Sequence, residues 1–256
     1  MLKPKFKKLS KITISLLICL CLASFSSFAD VGRQVAGTVT FMIGDVFVSS
    51  TGKDWVAADF DMKVYKDGWI KTGAESRCEI TLEDGSIVRM EENSLQCVEK
   101  VKTTSGSRKS SILLSAGKIW LNARKIISKN DSFQVRTDKA VCAIRGTQFR
   151  VDTGGNHTRI SVYSGEVATW SALFDRAEYK ANKDTAISKP YPVAGPDPVS
   201  MEKWVEIVKA FQQITIDAKG GYKKQDLDIK SLSEDTWVIW NMTRDSSTGI
   251  HPQIAE

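Results

Sequence analysis

The chain has 256 residues, with 36 lysines and arginines against 30 aspartates and glutamates, and a formal net charge of +6. This length suits one large domain, or one domain with an appendage. With only two histidines, His157 and His251, and no Cys-x-x-Cys pair, a zinc or redox site has little to be built from.

The sequence pattern of residues 1–29 predicts a signal peptide. Five lysines precede an apolar stretch from Ile12 to about Ala23, and small residues at Ser27 and Ala29 fit a signal-peptidase site. We expect Sec-type export with cleavage after Ala29, to the periplasm or the exterior of a bacterial cell. The alternative is an uncleaved membrane anchor, although serines and threonines dilute a stretch that needs roughly 20 apolar residues to span a bilayer.

Cleavage would change the charge of the chain. It removes five lysines and no acids, which leaves 31 basic residues against 30 acidic ones. The basic pI therefore belongs mostly to the targeting signal. We expect no nucleic-acid partner, because phosphate recognition normally needs a clustered basic surface on the folded domain, and we expect a membrane contact only if the leader stays uncleaved.

Residues 30–170 predict a β-domain. Apolar residues recur at every second position from Val35 to Trp170, which is typical of half-buried strands. Turn signals such as Asp84-Gly85 and Ser164-Gly165 separate the runs. The pattern predicts a mainly β fold, an antiparallel double-sheet or roll-like architecture with ten or more short strands.

Three cysteines remain after the leader: Cys78, Cys97 and Cys142. In an oxidising compartment they allow one disulfide. Cys78 and Cys97 flank the Asp84-Gly85 turn and could lie on neighbouring strands. The alternative is that all three are buried, small, apolar side chains.

The pattern changes after Trp170. Residues 171–199 predict a connector, because the run 189–198 contains four prolines. Residues 200–245 predict a helical extension: Ser200 fits a helix N-cap, and apolar residues at helical spacing predict a helix that ends near Ile214. Residues 233–241 predict a second, short helix, with Trp237 and Trp240 on one face sealing it onto the β-domain. Residues 246–256 predict a flexible tail, with fraying expected from position 245.

Trp55, Trp69 and Arg145 are the candidate contacts with a ligand or partner. Aromatic faces can stack on sugar rings, and the settings of Trp55 and Trp69 do not mark them as core residues. Arg145 precedes Gly146-Thr147; its structural interpretation is a local hydrogen bond beside a glycine turn. The functional alternative is an exposed guanidinium that meets an acidic ligand or partner.

The stretch from about Gly37 to Trp170 resembles the FecR-type periplasmic domain family. The resemblance is carried by ordered motifs over about 130 residues, which include Ile80-Thr81-Leu82-Glu83-Asp84-Gly85-Ser86, Gly117-Lys118-Ile119-Trp120, Ala143-Ile144-Arg145-Gly146-Thr147-Gln148-Phe149 and Val162-Tyr163-Ser164-Gly165-Glu166-Val167.

This resemblance implies an exported β-rich module, best known as the sensing part of a regulator that links an outer-membrane receptor to a cytoplasmic sigma factor. Such a regulator has a cytoplasmic helical segment before its membrane span. Here only 11 residues precede the apolar stretch, so we expect a stand-alone exported domain without the sigma-binding segment.

No assembled catalytic motif is recognisable in the sequence. We therefore expect a non-catalytic binding module in the cell envelope, with no cofactor and no metal, that binds an envelope protein or polysaccharide. The alternatives are a membrane-tethered signal-transduction regulator and a cell-wall or polysaccharide-binding protein.

Overall fold

The computed structural model describes residues 33–104, 107–125, 131–144, 146–174 and 205–247, without the side chains of 100–104, 107, 108 and 229. The predicted leader, most of the predicted connector and Arg145 lie outside these residues. By contacts, Met1–Gln34 and Val35–Glu256 are separate units. Among the described residues, no helix has both the length and the apolar character needed to cross a membrane.

The described chain is mainly β. Its strands are β1 (Val35–Ile43), β2 (Val46–Ser49), β3 (Val56–Ala57), β4 (Lys63–Tyr65), β5 (Gly68–Thr72), β6 (Arg77–Leu82), β7 (Ile87–Met90), β8 (Leu95–Thr104), β9 (Ser107–Asn122), β10 (Ser132–Arg136), β11 (Ala140–Ile144), β12 (Gln148–Gly154), β13 (His157–Ser164), β14 (Glu166–Ser171), β15 (Glu206–Lys209), β16 (Gln212–Asp217) and β17 (Tyr222–Asp226). Two helices follow them, α1 (Ile229–Glu234) and α2 (Thr236–Ser247).

The strands form two sheets that share the long strand β9. Sheet A has the order β4-β1-β6-β7-β9-β12-β13-β16-β17. Sheet B has the order β3-β2-β5-β8-β9-β10-β11-β14-β15. Among the described pairs, β9 and β10 run parallel and the others antiparallel. The predicted double-sheet β fold is confirmed, with this one parallel pair as a difference.

Strand β9 changes sheets at Gly117. Its first part pairs with β8 of sheet B up to Ala116, and from Ile119 it pairs with β7 of sheet A. Gly117 has a φ of +86°, and a Cβ there would lie 2.5 Å from the Cα of Ser94. Only glycine fits this backbone without strain, so this residue lets one strand serve both sheets.

The inward faces of both sheets contribute to one apolar core. The alternation predicted from the sequence is confirmed in most strands, because every second apolar residue there is fully buried. These include Val39, Ile80, Ile112, Leu114, Ile119, Leu121, Val135, Phe149, Val151, Ile160, Val162 and Val167. Burial at roughly 25 cal/mol per Å² of apolar surface makes this core the main favourable contribution to folding.

The helix predicted from Ser200 to near Ile214 is wrong over the described residues. Residues 206–209 and 212–217 are the strands β15 and β16, separated by a turn at Phe211 with a φ of +62°. Val208 is buried while Val205 and Phe211 are 61% and 50% exposed, so these residues do not share a helical face. β-branched side chains suit strands, and the free edges of β13 and β14 supply their hydrogen-bond partners.

The second predicted helix is confirmed and is longer than expected. The prediction covered residues 233–241, and the structure has α1 and α2 from Ile229 to Ser247. The tail predicted over 246–256 is wrong at its start, because α2 continues through Ser246 and Ser247; residues 248–256 lie outside the described chain. The C-terminal helical extension of the predicted fold is therefore present at 229–247, after three further strands.

Candidate functional site

Helix α2 lies on the outer face of sheet A. One cross-strand row of this face runs through neighbouring strands from β1 to β16. Its residues, in order, are Phe41, Glu79, Arg89, Trp120, Arg150, Ser161 and Gln213. The row places charged and aromatic side chains on the surface that α2 covers, whereas an apolar face is the usual support for a helix.

Arg89 is the centre of this contact. Its side chain is fully buried, and its Nε donates to Glu79 Oε2 at 2.6 Å while its Nη1 donates to Asp245 Oδ1 at 2.6 Å. Glu79 lies on the sheet and Asp245 on α2. A buried charge is tolerated only when it is paired and hydrogen-bonded, and here the guanidinium joins a carboxylate from each element.

Asp245 accepts two more hydrogen bonds from the sheet. Trp120 Nε1 donates to its Oδ2 at 3.0 Å, and Gln148 Nε2 donates to the same oxygen at 3.1 Å. The aspartate is 1% exposed. The sequence suggested fraying at this position, but Asp245 is a buried anchor of the helix. The sequence gives no local sign of this, because the partners of Asp245 lie on strands more than ninety residues away.

Glu79 is shared between the sheet and the helix. Besides Arg89, it accepts from Arg244 Nε of α2 at 2.7 Å and from Thr40 Oγ1 at 3.0 Å. Burial by itself would raise the pKa of Glu79, but the hydrogen bonds from Arg244 and Arg89 outweigh burial and hold this pKa below its usual value of 4.5. The carboxylate therefore stays ionised at neutral pH.

The start of α2 is anchored by Asp235. Its Oδ1 accepts from the backbone N–H groups of Trp237 and Val238 at 3.0 and 3.1 Å, which is N-cap geometry. Its Oδ2 accepts from Arg150 Nη1 of β12 at 2.7 Å. One carboxylate thus begins the helix and ties it to sheet A.

Aromatic side chains complete the contact. Trp237 is 2% exposed and stacks on Trp240 with ring centroids 5.2 Å apart, and Trp240 lies 5.7 Å from Phe41 of β1. Arg77 and Arg244 lie over these rings. The prediction that Trp237 and Trp240 seal the helix onto the β-domain is confirmed.

The lowered pKa of Glu79 gives a pH prediction. A carboxyl whose pKa is lower in the folded chain stabilises the fold above its unfolded pKa, and this stabilisation is lost as pH falls through the folded pKa. We expect Glu79→Gln to lower the free energy of unfolding at pH 7 and to reduce its loss on acidification from about pH 5 to about pH 3. Urea unfolding at several pH values measures both. Equal acid sensitivity of variant and wild type would contradict the prediction.

The outer face of sheet B carries a second cluster, which we call the aromatic patch: Phe47, Trp55, Trp69 and Lys71. Phe47 of β2 is opposite Lys71 of β5, and Trp69 lies two residues from Lys71 on the same face. Lys71 Nζ lies 4.4 Å from the Trp55 ring centroid and 4.9 Å from that of Phe47. All four side chains are half-buried, and the cation–π contacts hold the rings at the surface.

The row of this face that contains Trp69 continues through Cys97, Leu113, Arg136 and Val141 to Trp170 of β14. Cys97 and Val141 are buried, whereas Leu113, Arg136 and Trp170 are half-buried. Beyond it, Ile207 of β15 is 41% exposed. An open hollow of about 310 Å³ lies beside these strands, with Gln134, Ala168 and Ile207 in its wall. Sheet B thus has apolar side chains on both faces.

The cysteines do not form the predicted bond. Cys78, Cys97 and Cys142 are free thiols and buried. Cys78 lies on β6 of sheet A and Cys97 on β8 of sheet B, so they occupy different sheets instead of neighbouring strands. Burial raises the pKa of each thiol to about 12, which keeps it protonated and unreactive at neutral pH.

The structure describes two of the other three predicted site residues. Trp55 and Trp69 come together in the aromatic patch, while Arg145 lies outside the described residues, so its structural and functional interpretations both stay predictions. In the described part of the chain, no three histidine, cysteine or acidic residues are grouped so that they could hold a metal ion. Sequence reasoning missed Glu79, Arg89 and Asp245, whose burial depends on long-range packing.

These features define a two-sheet β-module that covers one sheet with its own C-terminal helix and leaves an aromatic patch on the other. A family model described as FecR protein matches residues 69–168, from β5 to β14. The resemblance to the FecR domain predicted from the sequence is therefore confirmed over this stretch. The helices and β15–β17 lie beyond the match.

Two crystal structures of a candidate anti-sigma factor from Parabacteroides distasonis, at 1.65 and 2.50 Å resolution, are similar to the chain. Both are 18% identical to it, with TM-scores of 0.44 and 0.43. The matches cover 68% and 64% of this chain, but 64% and 62% of theirs, which is less than two thirds. No curated protein matches the chain.

Proposed function

We propose that the chain is an exported, non-catalytic binding module of the FecR type in a bacterial cell envelope, and that it binds its partner through the outer face of sheet B. The observation that carries this proposal is the contrast between the two outer faces. Sheet A is covered by α2 of the same chain, whereas sheet B presents half-buried aromatic rings. The FecR match supports a regulatory role in place of catalysis.

The aromatic patch has the properties of an interface centre. Trp55 and Phe47 offer large contact areas and lose little side-chain entropy on binding, since two torsions describe each. Lys71 supplies a cation between the two rings. Interfaces are enriched in such aromatic anchors near their centres.

Two alternatives make different demands on the same molecule. The FecR match favours a membrane-tethered regulator of signal transduction, which would need residues 1–29 as an uncleaved anchor. The aromatic patch favours a polysaccharide ligand, because rings on a flat sheet can stack on sugars. The intact mass of the protein from envelope fractions distinguishes export from membrane tethering. A mass that begins at Asp30 supports export, and the full-length mass in the membrane fraction supports tethering.

Trp55→Ala tests the binding surface. We expect it to weaken retention on isolated envelope material by about tenfold or more, the range of an interface hot spot. The measurement is a titration of labelled protein against washed envelopes, with folding checked by circular dichroism. Ile239→Ala is the matched control, because Ile239 is an exposed apolar residue on α2, over the other sheet. Equal retention of both variants would exclude the aromatic patch.

A further inference from the structure

The outer end of the β8–β9 hairpin carries a local excess of positive charge. Residues 100–109 include Lys100, Lys102, Arg108 and Lys109 and no aspartate or glutamate. Outside the predicted leader, the chain as a whole is nearly neutral. We call residues 100–104 and 107–109 the basic ribbon.

The basic ribbon extends beyond the strands that flank it. Strand β5 pairs with β8 only as far as Val98, and β10 pairs with β9 only from Lys109 onward. Among the described pairings, residues 100–104 and 107–108 pair only with the other strand of the hairpin. The ribbon is therefore held mainly by its own ladder of hydrogen bonds, with no neighbouring strand beside most of it.

Two lysines are directly opposite each other in this ladder. Lys102 pairs with Lys109, and Lys109 is exposed. Opposite Cβ atoms in such pairs lie about 4.5–5.5 Å apart, and like charges there destabilise the pairing. Lysines on a strand edge can also discourage aggregation, but that effect does not require two of them in one pair. An anion bound between the two ammonium groups would remove their repulsion.

Three lysines of the ribbon belong to the outer face of sheet B. Leu113 is on this face, and Ser111 and Lys109 precede it by two and four residues on the same strand, so they share its face. Lys100 is opposite Ser111, and Lys102 is opposite Lys109. The ribbon thus continues the surface that bears the aromatic patch.

The distance between the two features favours a long ligand. Cys97, which is opposite Trp69, precedes Lys102 by five residues on β8, or about 15 Å with the bulge at Glu99. Glu99 accepts from Ser111 Oγ at 2.8 Å, and it is the one acid near the base of the ribbon. A small anion cannot reach both the lysines and the rings, whereas an extended polymer can.

We propose that the basic ribbon binds a polyanionic glycan of the cell envelope. Its lysines contact the acidic groups of the glycan, and the aromatic patch stacks on its sugar rings. This rests on the proposed function, because both features use the outer face of sheet B. A lipid surface is disfavoured, since residues 102–109 contain no apolar side chain that would enter a bilayer.

Titration of the protein with polygalacturonate oligosaccharides tests the proposal, with their methyl esters as the matched uncharged ligand. We expect the charged form to bind at least about tenfold more tightly than the ester. We also expect this preference to shrink from about 50 to about 300 mM sodium chloride, because salt screens exposed charges. Binding of neither form, or equal binding of both, would overturn the proposal.

A pair of double variants locates the binding. Lys102→Gln with Lys109→Gln should weaken binding of the charged glycan by about tenfold or more. Lys219→Gln with Lys223→Gln is the matched control, because it removes the same charge from exposed positions at the edge of sheet A. Equal affinities of the two double variants would contradict the assignment to the ribbon.

Two further measurements separate the remaining outcomes. Ribbon-dependent binding to phosphatidylglycerol vesicles, without binding to the glycan, would overturn the glycan in favour of a lipid surface. Retention on washed envelopes separates this inference from the proposed function. If Trp55→Ala loses retention and the ribbon variant keeps it, the inference fails and the proposed function stands. If both variants keep full retention, both fail.

Discussion

Asp245→Ala is expected to lower the free energy of unfolding by about 3–5 kcal/mol, because it removes one partner of a buried charge. The carboxylate of Asp245 accepts from Arg89, Trp120 and Gln148, and Arg89 is fully buried. Without it, the guanidinium keeps Glu79 as its carboxylate partner and Nη1 loses its short ionic contact. Urea unfolding at pH 7, followed by tryptophan fluorescence, measures the change.

Thr243→Ala is the matched control for Asp245→Ala. Thr243 lies on the same helix, is exposed, and donates its hydroxyl to the carbonyl of Ile239 one turn earlier. Such surface substitutions usually change stability by about 0.5 kcal/mol or less. If Asp245→Ala unfolds at the same urea concentration as this control, then α2 does not dock on sheet A through the ionic contacts described above.

Trp237→Ala is expected to cost about 3–5 kcal/mol of stability, the range for truncating a buried aromatic side chain. Trp237 is 2% exposed and packs against Trp240 and against the guanidinium of Arg77, which lies 5.1 Å from its ring centroid. Its Nε1 has no hydrogen-bond partner among the described residues. The loss would therefore come from packing and from the cavity that remains.

Ile239→Ala distinguishes packing by Trp237 from a general effect of shortening an apolar side chain on α2. Ile239 is 44% exposed, two residues along the same helix. We expect its truncation to cost a small fraction of the loss at position 237, measured by the same urea titration. Similar losses for the two variants would mean that α2 presents a different face to the sheet.

The sequence predicted the strands between residues 35 and 171 because the alternation of buried and exposed side chains along a strand is a local property. Ile112 and Leu114, or Val151 and Phe149, face one core through a period of two that any strand obeys. Local spacing gave the wrong prediction at Val205, Val208 and Phe211. Their spacing is helical, but the edges of β13 and β14, which exist only in the folded β-domain, pair with this segment as strands. Tertiary pairing overrode the helical pattern there.

In the candidate sites, too, the sequence predicted the local features and missed the long-range contacts. The i, i+3 spacing of Trp237 and Trp240 is a local property, and it correctly predicted a sealed helix face. The partnership of Arg89 with Asp245 joins residues 156 positions apart, so no local pattern could reveal it. The clustering of Trp55 with Lys71 likewise depends on how β2, β3 and β5 align.

Photo-cross-linking in the native envelope tests the binding-module proposal most directly. A photoreactive phenylalanine derivative would replace Trp55 in one variant and Ile239 in another, and each would be irradiated in intact cells. Binding through sheet B predicts an adduct from position 55 and none from position 239, with protease or muramidase digestion distinguishing a protein from a polysaccharide partner. An adduct from position 239 and none from position 55 would contradict it.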